Sequence, residues 1–387
     1  MGELVPVCFG GSAAARGFIA RREQRLWWLL WSRCPGVAGG RLRTLEQCFP
    51  RLEMAWRAPV EQLQQLPGFG PATVAAIDRY RQRWGVAPLA AVVAAWQGGR
   101  RVLLPGDGRW PQALAQLQRP PVALAWEGRG SLWPLLAQGR AVAVVGTRRP
   151  SPHGLLMARR IGESLARAGW PVVSGLAEGI DAAAHRGCLA AGGATVAVLG
   201  TPLERVYPRH HGPLQRQIAR RGLLVSEQPP GAVVQAGQFA ARNRLQVALA
   251  CAVVVVECPL SSGALHSARL AEQLQLPLWV VPADAARLSA LGSNQLLARG
   301  AAALLQPSDL AAALPQPPPL TPRPCAAVEA AVDPAQRALL QAVGSGAHLS
   351  ELAQCLRQPP ERLASLLLEL ELAGLLRAEP GLFWRPA

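Results

Sequence analysis

Ala141-Val142-Ala143-Val144-Val145-Gly146-Thr147-Arg148-Arg149-Pro150-Ser151-Pro152-His153-Gly154 is the stretch whose reading decides the fold. A short unbroken apolar run reads as a strand covered on both faces. Gly146 at its end lets the backbone come close to a ligand, and the helix that follows offers unpaired N–H groups to a phosphate. Arg148 adds a positive charge at the same spot. The dinucleotide fingerprint G-x-G-x-x-G and the Walker pattern G-x-x-x-x-G-K are both missing from this turn. A bound phosphate is therefore expected here, without a whole NAD or ATP and without a cofactor.

The same texture repeats downstream. Pro171–Ser174, Ala194–Leu199, Leu223–Ser226, Ala252–Glu257 and Leu278–Val281 are short apolar runs separated by helix-length segments. Runs of this kind predict a doubly wound α/β domain on a parallel sheet. Upstream, residues 25–97 carry apolar residues at helical spacing with Gly and Pro punctuation. Downstream, Pro315-Gln316-Pro317-Pro318-Pro319 predicts an extended linker. Past it, Asp333–Val343, Leu349–Cys355 and Pro360–Ala373 read as three helices and Leu375–Trp384 as a hairpin, an order that resembles a winged helix. The expected domains are 1–98 helical, 99–314 α/β, 315–330 linker and 331–387 winged helix.

Charge sharpens this division. The chain of 387 residues has 40 basic residues, all of them arginine, against 24 acids, a formal charge of +16. GC-rich codon drift accounts for arginine in place of lysine, since Ala, Gly and Pro are also abundant. It does not account for the excess over acid, which points to a polyanion. Residues 1–99 carry 12 arginines against 6 acids, residues 100–315 carry 22 against 11, and residues 331–387 carry 5 against 6. The polyanion site is expected in the first two segments. The winged-helix segment, lacking the charge for phosphate neutralisation, is expected to contact protein.

The eight cysteines form no CxxC pair and no cluster with histidine, which fits neither a zinc site nor a secreted disulfide framework. The longest apolar run, Leu249 to Val256, is far short of a membrane span. Trp27 to Trp31 is too short for a signal-peptide core. A reduced, cytoplasmic protein is the simplest expectation.

The second expected strand leads into Ser174-Gly175-Leu176-Ala177-Glu178-Gly179-Ile180-Asp181-Ala182-Ala183-Ala184-His185. Asp181 and His185 stand four apart on one helical face. With no nucleophile or metal ligand beside them, the reading is that Asp181 caps the helix and orients His185.

These two turns resemble the DprA family, also called Smf. The resemblance continues through Val196-Leu199-Gly200, Val206-Tyr207-Pro208, Ser226-Glu227-Gln228-Pro229, Phe239-Ala240-Ala241-Arg242-Asn243-Arg244, Val255-Val256-Glu257, Ser262-Gly263-Ala264-Leu265 and Gly292-Ser293-Asn294-Gln295-Leu296. It covers residues 141 to 301, and its specificity lies in the ordered series. It implies an extended Rossmann-like domain, preceded by a helix-hairpin-helix or SAM-like domain, that binds single-stranded DNA without sequence preference and protects it. It also implies loading of RecA during transformation and recombination, and a homodimer formed through the Rossmann-like domain. Its phosphate-contacting arginine falls on Arg148, and its F-P-x-R-N-R segment on Phe239, Arg242, Asn243 and Arg244. The candidate set is Gly146, Thr147, Arg148, Ser174, Gly175, Gly179, Phe239, Arg242, Asn243, Arg244, Ser262 and Gly263, with no catalytic residue and no metal ligand. Glu178, Ala240, His211, Ser267 and Ala283 depart from the pattern. Glu178 does so with a reversed charge, which weakens DNA binding unless Arg149 or Arg186 compensates.

The residues support the Phe239 to Arg244 part of this set on their own. Phe239 is the only phenylalanine between 100 and 315, three residues before a pair of arginines. Bases stack on such a ring for about 1–3 kcal/mol each while arginines hold phosphates; the alternative is that Phe239 is core. Of Arg242 and Arg244, one is expected to turn inward, satisfied by carbonyls or Glu257, and the other toward a ligand.

Leu66-Pro67-Gly68-Phe69-Gly70-Pro71 looks like a helix-hairpin-helix turn, with Pro35-Gly36-Val37-Ala38-Gly39 as a degenerate first copy. Both DNA contact and packing stay open for it. The rival reading is a Rossmann-type nucleotide phosphoribohydrolase of the lysine-decarboxylase-like superfamily, with Glu257 as its carboxylate. Its P-G-G-x-G-T-x-x-E run is missing from this sequence, and Gly192-Gly193 leads into a strand instead.

Overall fold

A computed structural model of the chain describes residues 13–314 apart from 38, 86–87, 90–91 and 93–100, and residues 333–386 apart from 345, 373–374 and 380–382. The expected boundary at 98 and the proline-rich linker at 315–330 lie outside the described residues. The described residues up to Ala313 make one compact unit and those from Leu314 on a second.

Among the described residues the first unit opens with the helices α1 (Ala13–Ser32), α2 (Gly39–Cys48), α3 (Leu52–Arg57), α4 (Val60–Gln64) and α5 (Pro71–Trp84). They close on Trp27, Trp31, Trp56 and Tyr80, whose rings meet at tilted and edge-on angles at 5.3–5.9 Å. Gly36 and Gly68 both take positive φ, +81° and +82°, at the two bends where the sequence shows a hairpin and its degenerate copy. Arg41 ties the bends together, donating from Nε to the Gly68 carbonyl and from Nη1 to the Gly36 carbonyl, both at 2.6 Å. The aromatic core runs on to Leu104 and Ala123, and the Trp28 indole donates to the Val122 carbonyl at 2.7 Å, so these helices share a core with one edge of the sheet.

That sheet contains β1 (Arg101–Leu103), β2 (Leu124–Gly128), β3 (Val142–Val145), β4 (Val172–Ser174), β5 (Thr195–Leu199), β6 (Leu223–Ser226), β7 (Ala252–Val255), β8 (Leu278–Val280) and β9 (Ala302–Ala303). The strand order is β1-β2-β6-β5-β4-β3-β7-β8-β9. From β6 to β9 every neighbouring pair is parallel, whereas β2 joins β6, and β1 joins β2, antiparallel. The doubly wound α/β fold is thus present, with an antiparallel edge that the apolar runs did not announce.

Helices α6 (Trp133–Ala137), α7 (Pro152–Arg167), α8 (Ile180–Ala190), α9 (Gly212–Arg221), α10 (Ala236–Ala248), α11 (Ala264–Gln273), α12 (Leu291–Ala298) and α13 (Pro307–Ala313) belong to the same unit. Side chains alternate across the sheet as a period of two requires. Ala197 and Leu199 pack with Leu189 of α8 and Ile218 of α9, while Val196 and Val198 join Leu245 and Ala248 of α10 on the opposite face. Both faces are therefore covered, which is why β3 to β8 are mostly apolar. The chain winds from β3 outward to β6 and then returns to place β7 on the other side of β3. This reversal makes the carboxyl ends of β3 and β7 a topological switch point, where such sheets hold ligands.

The second unit has α14 (Pro334–Val343), β10 (Ala347–His348), α15 (Leu349–Leu356), α16 (Pro360–Leu372), β11 (Leu376–Glu379) and β12 (Phe383–Pro386), with β12 central in a three-stranded antiparallel sheet. Leu339, Leu352, Leu367, Leu376 and Trp384 form its core. This is the winged helix read from the sequence.

Candidate nucleic-acid interface

A cavity of about 570 Å³ opens at the switch point. The turn after β3 supplies Gly146, Thr147, Arg148 and Arg149, and the segment after β7 supplies Pro259, Ser262 and Gly263. From α10 come Ala236, Phe239, Ala240 and Asn243, spaced so that one helical face lines the cavity, together with Arg242 and Gln246. Asp181 is the only acid among the described lining residues.

Arg148 and Arg149 are exposed at the cavity mouth. The Arg148 guanidinium lies 5.9 Å from the centroid of the Phe239 ring, within cation–π reach. Phe239 is half-buried on the cavity wall rather than in a core, and its ring packs against Tyr207 at 4.7 Å. Tyr207 belongs to a motif quoted above but was not among the candidate residues; only the fold shows that it shares a wall with Phe239.

The two arginines of α10 meet one half of the expectation and depart from the other. Arg242 is the inward one, 4% exposed; its Nη1 donates to the carbonyls of Gly175, at 2.5 Å, and Val198. Burial lowers its pKa to about 10, so it still carries its charge at neutral pH. That charge faces buried Asp181, whose Oδ2 accepts from the amides of Gly175 at 3.1 Å and Ala177 at 3.4 Å. Burial pushes the Asp181 carboxyl up, while Arg242 and these amides pull it down. Arg242 thus forms the cavity wall by tying the turn after β4 to strand β5. Arg244, expected to face a ligand if Arg242 did not, lies outside the cavity. Glu227 grips it bidentately at 2.8 and 2.6 Å, and its Nε donates to the Arg119 carbonyl at 2.9 Å.

Four further candidates act on or through backbone. Ser174 is fully buried, its hydroxyl donating to the Val144 carbonyl at 2.7 Å across β4 and β3. Gly175 sits against the Arg242 guanidinium and Gln246, where any Cβ would collide. Gly179 takes φ +75° so that the loop passes over the Thr147 carbonyl. Ser262 accepts from the Ala264 amide at 3.1 Å, at the start of α11.

The helix start after β3, expected to be open to a phosphate, is already filled. Glu257, 1% exposed, accepts from the Ser151 amide with both oxygens at 3.1 Å, from the Ser151 hydroxyl at 2.6 Å, and from the Ser289 hydroxyl. The Gly154 amide donates to Ser151 Oγ at 3.1 Å. A carboxylate at a helix N-terminus satisfies the same amides and dipole that a phosphate would. The sequence reading missed this because the pair is 106 residues apart.

The Asp181 reading also changes. Gly179 is the residue before α8, and Asp181 reaches back to loop amides instead of capping or orienting His185. His185 Nδ1 lies 2.7 Å from Thr195 Oγ1, and burial lowers its pKa to about 3. Glu178, exposed beside the cavity, pairs with His210 at 3.4 Å.

Residues 101–315 match the family model described as DNA recombination-mediator protein A, and residues 315–381 the DprA winged helix domain. The protein Smf of a Synechocystis species is 37% identical over 76% of this chain and 73% of its own length. The putative DNA processing protein DprA of Mycobacterium tuberculosis is 35% identical over 74% of this chain and 77% of its own. Among solved structures, DprA of Streptococcus pneumoniae superposes with a TM-score of 0.63 at 26% identity, over 75% of this chain and 97% of its own. The Helicobacter pylori DNA processing protein A, solved for its single-stranded DNA binding mode, gives 0.50 at 33% identity over 56% of this chain and 96% of its own. With the doubly wound sheet, the winged helix and the matched segments in agreement, this chain belongs to the DprA family of DNA-processing proteins, some of whose members are named Smf.

Proposed function

We propose that the switch-point cavity holds single-stranded DNA without sequence preference, protects it, and passes it to RecA during transformation or recombination. The observation that carries this reading is the exposed Arg148 guanidinium set over the half-buried Phe239 ring at the cavity mouth. One group takes a phosphate and the other stacks a base, and neither reads base identity. The single-stranded DNA binding of the Helicobacter pylori relative supports it. Gly146, Thr147, Asn243, Ser262 and Gly263 act as cavity wall around the strand, while Arg242, Gly175, Gly179 and Ser174 shape it from behind.

On this reading the protein is not an enzyme. The carboxylate a phosphoribohydrolase would use, Glu257, is engaged in holding the start of α7, and Asp181 in holding a loop. RecA partnership and a homodimer through the Rossmann-like domain follow from the family, and a winged helix that meets protein rather than DNA follows from the 5 arginines against 6 acids of residues 331–387. A cytoplasmic setting is consistent with six described cysteines that are all free thiols, and with no described helix being long and apolar enough to cross a membrane.

The test is a gel-shift comparison of single- and double-stranded oligonucleotides, repeated with RecA, beside a nucleotide-release assay on AMP-like substrates. Preference for the single strand with no release supports the reading. Turnover that disappears in Glu257→Gln defeats it in favour of the hydrolase.

A further inference from the structure

Behind the Tyr207–Phe239 pair lies a second groove. It has about 560 Å³ and lies between the segment after β5 and the segment after β6. Its apolar wall is made by Val206, Val233 and Val234, with Val233 77% exposed. Arg205 and Arg209 line it as well, and no carboxylate does among the described lining residues. Neither arginine is paired with an acid among the described residues. Glu204, the nearest acid in sequence, accepts from the Gly231 amide at 2.6 Å.

This groove is continuous with the first cavity. A narrow neck between them is lined by Arg148, Phe239 and Arg242, which also line the first cavity, and by Thr201 and Tyr207, which also line the second. Phe239 and Tyr207 therefore stand at the junction, packed on each other.

We propose that the groove is a second subsite for the same polymer, taking the nucleotides that follow those in the switch-point cavity; this rests on the reading of that cavity given above. Exposed valines beside unpaired arginines match splayed bases next to their phosphates, an arrangement a base-paired duplex cannot offer. The chain of contacts runs from Arg148 and Phe239, across Tyr207, to Val233 with Arg205 and Arg209. A strand lying along it alternates a stacking surface with a cation at each step.

Fluorescence anisotropy on the full chain with labelled oligothymidylates of graded length, from about 4 to about 16 nucleotides, tests this. The unmodified chain is expected to gain affinity once the strand outgrows the first cavity. In Arg205→Ala/Arg209→Ala that gain falls about tenfold, and the slope of log K against log salt shrinks by about 1.4, near 0.7 for each lost phosphate contact. In Val233→Ser the gain falls without a change in slope. Both variants are expected to keep the unmodified chain's affinity for the shortest strand and its melting temperature. An unchanged length dependence in the variants, with the unmodified chain still binding, overturns the second subsite alone. No binding by the unmodified chain at any length overturns both readings. Equal losses for duplex and single strand overturn the role of the valine wall.

Discussion

The Arg148 guanidinium stands 5.9 Å above the ring of Phe239, close enough for the two side chains to act as one recognition unit. Arg148→Ala is expected to weaken single-stranded DNA binding and to flatten its salt dependence by about 0.7 in log–log slope. Phe239→Ala should weaken binding by about 1–3 kcal/mol, roughly 5- to 150-fold, with the salt slope unchanged. The double variant should lose less than the sum, because the ring also orients the guanidinium. Additive losses in anisotropy titrations would show that the two work separately.

Arg242 belongs to the same helix but to a different class of effect. Arg242→Ala leaves Asp181 buried without its counter-charge and two carbonyls without a donor, and is expected to destabilise the fold by about 3–5 kcal/mol. Arg148→Ala, at an exposed site, should shift stability by less than about 0.5 kcal/mol. Urea unfolding of the two variants separates wall from contact. Similar stability would mean that Arg242 is free to bind ligand.

Glu178 places a negative charge beside the cavity, paired with His210. Glu178→Arg should raise single-stranded DNA affinity about fivefold at low salt, with the gain fading above about 0.5 M salt as screening shortens. The ratio of affinities measured at two salt concentrations checks this, and a ratio near one at both would remove Glu178 from the field of the groove.

His185 makes folding sensitive to acid. Its pKa falls from 6.5 to about 3 on burial, so between those limits the unfolded chain binds a proton that the folded chain refuses. Stability from this residue is complete above pH 6.5 and drains away as pH drops, by up to about 1.4 kcal/mol per pH unit. Thermal melts from pH 7 to pH 4 should show that slope, and His185→Gln should reduce it. An identical slope in the variant would assign the acid sensitivity elsewhere, for example to His211, which burial also shifts downward.

The runs that became β3 through β8 were legible because each is mostly apolar on both faces, with Ser174, Thr195 and Ser226 only at strand ends, and a strand covered by helices on either side has little polar pattern to disguise it. β1 and β2 were not. Three residues of β1 hold no period, and β2 ends in Trp126-Glu127-Gly128, where Trp126 is buried with Trp133 and Leu136 of α6 while Glu127 is exposed. At the site, Gly146, Arg148 and Phe239 could be picked out from turn chemistry and from a lone aromatic near cations. What stayed hidden were pairings over long sequence distances. Arg244 looks like a free cation until Glu227 is brought beside it, and Tyr207 is an ordinary motif residue until the fold lays it on Phe239. Glu257 closes an apolar run in the sequence, but nothing local reveals that it has a helix start to fill.

That carboxylate bears on which small molecules the protein ignores. An open ring of amides at a helix start accepts any diffusing phosphate monoester, and a living cell is full of them. Tethered to the same chain, Glu257 is present there at an effective concentration that free nucleotides do not match. Mononucleotides are thereby shut out of the most general anion receptor this fold builds. What remains for recognition is side chains arrayed along a path, a surface that rewards a polymer for its length and gives its building blocks very little.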